Sequence, residues 1–442
     1  MLLPARPRSS VTRAAALLAA ALMLSAALWG HRSTHLAAQA PTVPKPVSLA
    51  VWLHHFPGEA EYLGNLTRSF KQATGRAVYL YTYEWASCTE QLKQWRTTQR
   101  AYAPDMAIVR DVDLPIVLGQ AASLEGRFPS AFLRAFFPGA LAQGRVQGVL
   151  LALPWQVWPR ALYYRGDVLR AKGLSPPKTP GDLLHVAQTV ARPPELYGLG
   201  LPGRMRGSAA EMFLLTYRAQ GGLLFDQDGH LAIASDAGRR TLHLWEELGR
   251  SHATEPEILS WDESELTDLF LAGRIAMLIE RPWLLSLFHL AEPAFEVGVV
   301  PVPKVPGGWD SPRTDCIFVF ETAADIEGCV QFLQFALGPE QQATLAQCGV
   351  LSPRRDAADA LPRDPRWAAF RAAVVNARGP SPQSWDAIAD LFDRLIYTVV
   401  SGRATADEAI DRINIDLLGE PDAERAASPA PGPSDGAPRE KL

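Results

Sequence analysis

The sequence predicts an α/β chain built as two doubly wound lobes, each a sheet flanked by helices, and three observations carry that reading. Apolar runs of strand length alternate with stretches whose apolar residues recur at helical spacing, the pattern of parallel sheets covered by helices. The 442 residues exceed what one hydrophobic core ordinarily serves, so two cores are expected. Midway, residues 148–190 read as strand, aromatic loop, second strand, proline-rich turn and capped helix, which is how a chain leaves one packed layer and begins another.

The N-terminus stands apart. Arg6, Arg8 and Arg13 precede an apolar run at residues 14–29, and Ala38-Gln39-Ala40 follows, so residues 1–40 read as a secretory signal cleaved after Ala40. The run falls short of the ~20 residues a spanning helix needs. The first cysteine is Cys88, so none stands at the new N-terminus to take a lipid, and a free periplasmic protein is expected. Without its four leader arginines the chain keeps 39 basic and 47 acidic side chains and no basic cluster, which excludes nucleic acid as a partner. Cys88, Cys316, Cys329 and Cys348 allow up to two disulfides in three full pairings, with no C-x-x-C or metal spacing; buried thiols are the simpler expectation for at least two.

The elements follow in order. Residues 48–53 and 77–83 are strand-like around a helix at 59–74 that Gly75 ends, a βαβ unit requiring a parallel pair and a right-handed crossover. Residues 105–110 form a third strand, and helices at 89–99 and 114–122 complete the lobe. Ligands of such sheets sit beyond the carboxyl ends of the strands, which places His54, His55, Phe56, Trp85, Asp111 and Asp113 on one rim. In the central stretch Thr179 caps a helix with Pro180 first and Asp182 third, and Leu183, Val186, Ala187 and Val190 share its apolar face. Strands at 197–201 and 274–280 alternate with helices at 209–220, 235–251 and 263–271, and Arg281-Pro282-Trp283 opens another. Strands at 296–303 and 316–320 and helices at 323–337, 339–348 and 388–400 finish the chain. Residues 419–442, rich in Pro, Ala, Gly, Ser and charge, read as a disordered tail.

No nucleophile elbow, zinc-protease helix, phosphate loop or dinucleotide fingerprint occurs, so neither catalysis nor a cofactor is expected. Adjacent His54 and His55 diverge on a strand and make a poor metal pair. Tryptophans are the stronger signal. Trp52, Trp95, Trp245 and Trp367 lie inside apolar patterns and read as core, whereas Trp85, Trp155, Trp158, Trp283 and Trp385 fall at strand ends or helix starts and read as ligand surfaces. A sugar ring has apolar faces and a belt of hydroxyls, so it needs flat aromatics with charged hydrogen-bonding groups. Asp111, Asp113, Asp315, Arg281 and Arg313 supply those, with Arg204 and Arg206 as lesser candidates; the arginines suit an anion equally.

Five collinear segments also resemble the family 1 extracellular solute-binding proteins of ABC importers. They are VWLHH with FKQATG near the start, LPWQVWPRALYYRGDVLRAKGLSPPKTPGDLL, FLAGRIAM with Trp283, FALGPEQ through GVLSPR, and SGRATADEA. The family's glycine before the tryptophan is replaced here by Arg281, a departure that sets a cation near the site. The resemblance implies a two-lobe periplasmic-binding-protein fold of type II. Lobe one would hold residues 46–153 plus 302–341 and lobe two 154–301 plus 342–418, hinged by three crossings. It further implies a monomer that captures a small polar solute, a mono- or oligosaccharide, for the permease subunits of an ABC importer. Other readings remain: a charged solute (polyamine, metal chelate or anion), a sensory role, or a secreted carbohydrate-active enzyme using Asp111 and Asp113.

Overall fold

The computed structural model describes residues 44–418 except 55, 57, 206–207, 227–229, 292, 311, 362 and 376–384. The expected leader and tail, His55 and Arg206 lie outside the described residues.

The chain opens as read. Strand β1 (Val47–Leu53) leads into helix α1 (Glu59–Thr74), which buries Tyr62, Leu63, Leu66 and Phe70 on one face. Gly75 stops α1 at φ 74°, returning its N–H to the Lys71 carbonyl; only glycine takes that conformation without strain. Strands β2 (Val78–Glu84) and β3 (Met106–Arg110) both run parallel to β1. The helix expected at 114–122 does not form. A 3₁₀ segment, Asp111–Val117, stands there instead, with Pro115 inside it. Pro115 would be tolerated in the first turn of such a helix, but Gly119 stands in its middle at φ 81°, a left-handed conformation that no α-helix continues through.

Strand β4 (Ala152–Trp158) returns to this first sheet, whereas β5 (Ala161–Arg165) begins a second, so the chain passes between sheets at Pro159-Arg160. Helix α2 (Pro180–Val190) has the expected capping box between Thr179 and Asp182. The second half then builds β6 (Tyr197–Gly200), α3 (Ala209–Ala219), α4 (Asp236–Arg250), α5 (Glu263–Leu271), β7 (Ile275–Glu280), α6 (Trp283–Ala291) and β8 (Val297–Pro301). Strand β9 (Arg313–Val319) rejoins the first sheet, antiparallel to both β3 and β4. The two orders are β2-β1-β3-β9-β4 and β8-β5-β7-β6.

The inner strands of each sheet are buried on both faces, which is why they read as near-continuous apolar runs, whereas edge strands β2 and β8 stay partly exposed. Along β1, Leu49 and Val51 enter one core with Phe70 and Phe332, while Ala50 and Trp52 enter another with Trp95 and Phe318. All six residues of β7 are buried between two further cores. After β9, helix α7 (Ile326–Ala336) packs on the first sheet. Helix α8 (Pro339–Gln347) straddles the boundary, Leu345 in a first-sheet core and Ala346 in a second-sheet core. Helices α9 (Trp367–Val375) and α10 (Trp385–Val400) serve the second sheet. Trp52, Trp95, Trp245 and Trp367 are core, as their spacing predicts. All four cysteines are free thiols, Cys88, Cys316 and Cys329 buried and Cys348 half-buried. Among the described residues no helix is long and apolar enough to cross a membrane.

Candidate functional site

Because β1, β2, β3 and β4 point the same way in the first sheet, their carboxyl ends deliver His54, Trp85, Arg110 and Trp158 to one edge. Antiparallel β9 brings Arg313 and Asp315 to that edge from its amino end. These six, with Glu211 from α3 and Arg281 after β7, line a cavity of about 190 Å³. That is smaller than the ~300–1,000 Å³ pockets that enclose drug-sized ligands.

The first-sheet wall is aromatic with a buried acid behind it. The His54 ring lies between two indoles, with centroids 4.7 Å from Trp85 and 4.5 Å from Trp158. One oxygen of Asp315, Oδ2, accepts from His54 Nε2 at 2.7 Å, Gln156 Nε2 at 2.6 Å and Trp158 Nε1 at 2.7 Å. Burial would raise this carboxyl, but His54 and the three donated bonds hold it below the ordinary range. Asp315 thereby fixes the orientation of both rings. A register slip of the β9–β4 ladder sits here. Asp315 faces Gln156 and Cys316 faces Pro154, so Trp155 has no opposite residue. A bulge suits proline, which has no N–H to give a ladder.

The second wall is ionic. Glu211 lies 3.5 Å from Arg160, 3.2 Å from Arg281 and 3.7 Å from Arg313. Burial alone would raise its pKa, but Arg313, Arg281, Arg160 and Arg110 outweigh that and hold it at about 2. Glu263 pairs closely with both Arg160 and Arg281. Glu280, fully buried at the end of β7, stands 3.6 Å from Arg160 and 3.9 Å from Arg281. Burial and the neighbouring Glu263 charge raise Glu280 to about 7, despite those arginines.

The residues singled out from sequence divide into groups. Trp85, Trp158, Arg281, Arg313 and Asp315 line the cavity. Phe56 supports Trp158 at 5.9 Å, and Trp385 packs against the Arg313 guanidinium at 5.4 Å. Asp111 and Asp113 stand behind the arginines: Asp111 lies 2.8 Å from Arg313, and Asp113 binds Arg110 through both oxygens at 2.6 and 3.1 Å. Trp155 is 2 % exposed and packs on Tyr62 in the first-sheet core, away from the cavity. Half-buried Trp283 does not line it either. Arg204 is held by Asp262 and Glu265 outside it. Sequence reasoning missed Arg110, Glu211, Arg160, Glu263 and Glu280. Arg110 was legible as the last residue of a strand at the ligand edge; Glu211 and Arg160 are recognisable only through partners distant in the chain, and Glu263 and Glu280 only through their pairing with Arg160 and Arg281. Among the described residues no group of three or more His, Cys, Asp or Glu is placed to hold a metal ion.

The comparisons agree with this architecture. Residues 65–373 match the family model described as bacterial extracellular solute-binding protein. A binding protein of Brucella abortus is 23% identical over 334 residues, covering 72% of this chain and 81% of its own. An ABC transporter-binding protein of Deinococcus radiodurans is 24% identical over 323 residues, covering 68% and 76%. Among solved structures, the sugar-binding protein MalE of Xanthomonas citri superposes with a TM-score of 0.74 at 21% identity, over 87% of this chain and 100% of that one. The chain therefore belongs to the bacterial extracellular solute-binding protein family, as the solute-binding protein of an ABC transporter with the two-lobe type II fold.

Proposed function

We propose that this protein captures a carbohydrate of monosaccharide size between its two lobes, releases it unaltered to the membrane permease, and works as a periplasmic monomer after cleavage behind Ala40. The lobes are taken as residues 46–158 plus 302–341 and 159–301 plus 342–418, meeting at the cavity; the first crossing, expected after residue 153, is moved to Pro159-Arg160 because Ala152–Trp158 pairs within the first sheet. One observation carries the reading: two indoles clasping an imidazole face charged hydrogen-bonding groups around about 190 Å³. Flat rings suit the C–H faces of a pyranose, and guanidinium and carboxylate groups suit its hydroxyls. The sugar-binding MalE neighbour supports the same solute class.

Site residues in this reading are His54, Trp85, Trp158, Arg281, Arg313 and Asp315, all among the residues marked from sequence, with Arg110 and Glu211 added. Lobe closure then follows from differential affinity, because a solute that binds open and closed forms equally shifts nothing. The hydrolase alternative loses its groups, since Asp111 and Asp113 are engaged with Arg313 and Arg110 rather than turned to the cavity. Calorimetry against a panel of sugars tests the proposal. Stoichiometric binding with the sugar recovered intact is expected; hydrolysis products, or no sugar bound at all, would overturn it.

A further inference from the structure

We infer that helix α3 clasps the first sheet beside the cavity: Asp111 and Arg313 are held between its Glu211 and Arg218, and this contact draws the lobes shut whatever the solute's own chemistry. The inference rests on the two-lobe capture reading above and adds to it the protein's own share of closure.

Asp111 follows β3 and Arg313 opens β9, so both belong to the first sheet, whereas α3 and α10 pack in a second-sheet core. Arg313 Nη2 lies 2.8 Å from Asp111 Oδ1 and its Nε 3.7 Å from Glu211 Oε1, and both nitrogens are closed to solvent. That edge of the guanidinium is therefore occupied by two carboxylates, one from each side of the boundary. Trp385 of α10 covers the same guanidinium at 5.4 Å. At the other end, burial lowers Arg218 to about 10, and the Asp111 charge works against that fall. Charges thus alternate in series, Glu211, Arg313, Asp111, Arg218, with both ends on α3 and both middle members on the first sheet.

The spacing on α3 makes the clasp possible. Glu211 and Arg218 are about two helical turns apart and so share a face. Leu214 and Leu215 fall between them on that side, and Val112, next to Asp111, joins the buried cluster that holds both leucines. A residue from the first sheet is thereby sunk in a second-sheet core. Burial would raise Glu211, and Arg313 leads the arginines that overcome it. Moving the lobes apart strips Val112 of this packing and takes Arg313 from Glu211 and Asp111 from Arg218, penalties that closure removes. They act on every solute alike, because affinity for the closed form is scaled by the fraction of chains that are closed.

Small-angle scattering and calorimetry on the full chain test the clasp through Asp111→Asn and Val112→Thr, at two positions that do not line the cavity. Without sugar, each variant should scatter with a larger radius of gyration than the wild type. Against D-glucose, D-galactose, D-xylose and maltose, every sugar that the wild type binds should show a Kd raised by one common factor, roughly 10-fold. Val112→Thr changes shape little and sets a hydroxyl among apolar side chains in the closed form, so it carries both readouts even where Asp111→Asn folds poorly. An unchanged radius in the variants overturns the clasp whether or not any sugar binds, so the clasp and the carbohydrate reading fail separately. Losses that differ from sugar to sugar would assign Asp111 to the solute and overturn it as well.

Discussion

The two walls of the cavity are built from different materials. The first-sheet wall stacks Trp85, His54 and Trp158 and hides a single acid, Asp315, under three donors. Among the described residues the second-sheet wall has no aromatic on the cavity; it is a lattice of Arg160, Arg281, Glu211, Glu263 and Glu280 in which every charge touches more than one opposite charge. The difference teaches a division of labour. One wall supplies shape and apolar contact, and the other supplies a fixed field that burial keeps strong.

Breaking the ionic wall should have the largest effect. Arg160→Ala removes the more buried of the two cations that Glu263 and Glu280 share, leaving Arg281 alone between them, and a loss of about 2–4 kcal/mol of folding stability is expected. Denaturant unfolding would measure it; a loss below about 1 kcal/mol would mean the lattice is not structural.

Glu280 sharpens the contrast through pH. Its folded pKa, about 7, lies above its ordinary value of 4.5, so the native state holds a proton that the unfolded chain releases. Stability from this group is full below 4.5, declines as pH rises between 4.5 and 7, and levels off beyond, for a total on the order of 3 kcal/mol. Glu280→Gln should flatten the stability profile in that window, and an unchanged slope would assign it elsewhere. Glu211 acts oppositely. Held at about 2, it contributes stability above 4.5 that is lost as pH falls toward 2.

On the aromatic wall the effects are smaller and fall on binding. Trp85→Ala removes a half-buried ring from the cavity and should raise Kd roughly 30-fold, about 2 kcal/mol, with little change in Tm. Trp155→Phe should do the reverse, costing roughly 1–2 kcal/mol of stability through the space left beside Tyr62 while affinity holds. Fluorescence titration and thermal unfolding of the same pair separate the two roles. Affinity loss in Trp155→Phe would place that ring at the solute after all.

Much of this was legible beforehand, for reasons that differ by element. The capping box at Thr179 is a local rule, since the side chains and backbone groups concerned lie within four residues. The inner strands were legible because burial on both faces leaves uninterrupted apolar runs. Arg281 stood out because it replaces the glycine that the resemblance led one to expect there, and it does line the cavity. Trp155 and Trp158 look alike in sequence. Strand position and the bulge at Asp315 send one into the core and the other to the cavity, and a ladder register cannot be read from one strand alone. Glu211 looked like an ordinary helix-face acid. What distinguishes it is the convergence of arginines from three distant segments, which is a property of the fold rather than of its neighbours in the chain.

The unpaired thiols have a practical consequence. Burial raises the pKa of Cys88, Cys316 and Cys329, the last to about 12, so none of them is a ready nucleophile at neutral pH. Burial and Glu61 raise the Cys348 thiol as well, but it alone of the four cysteines has partial access to solvent, so at mildly alkaline pH it offers a maleimide dye a single address without first mutating the others away.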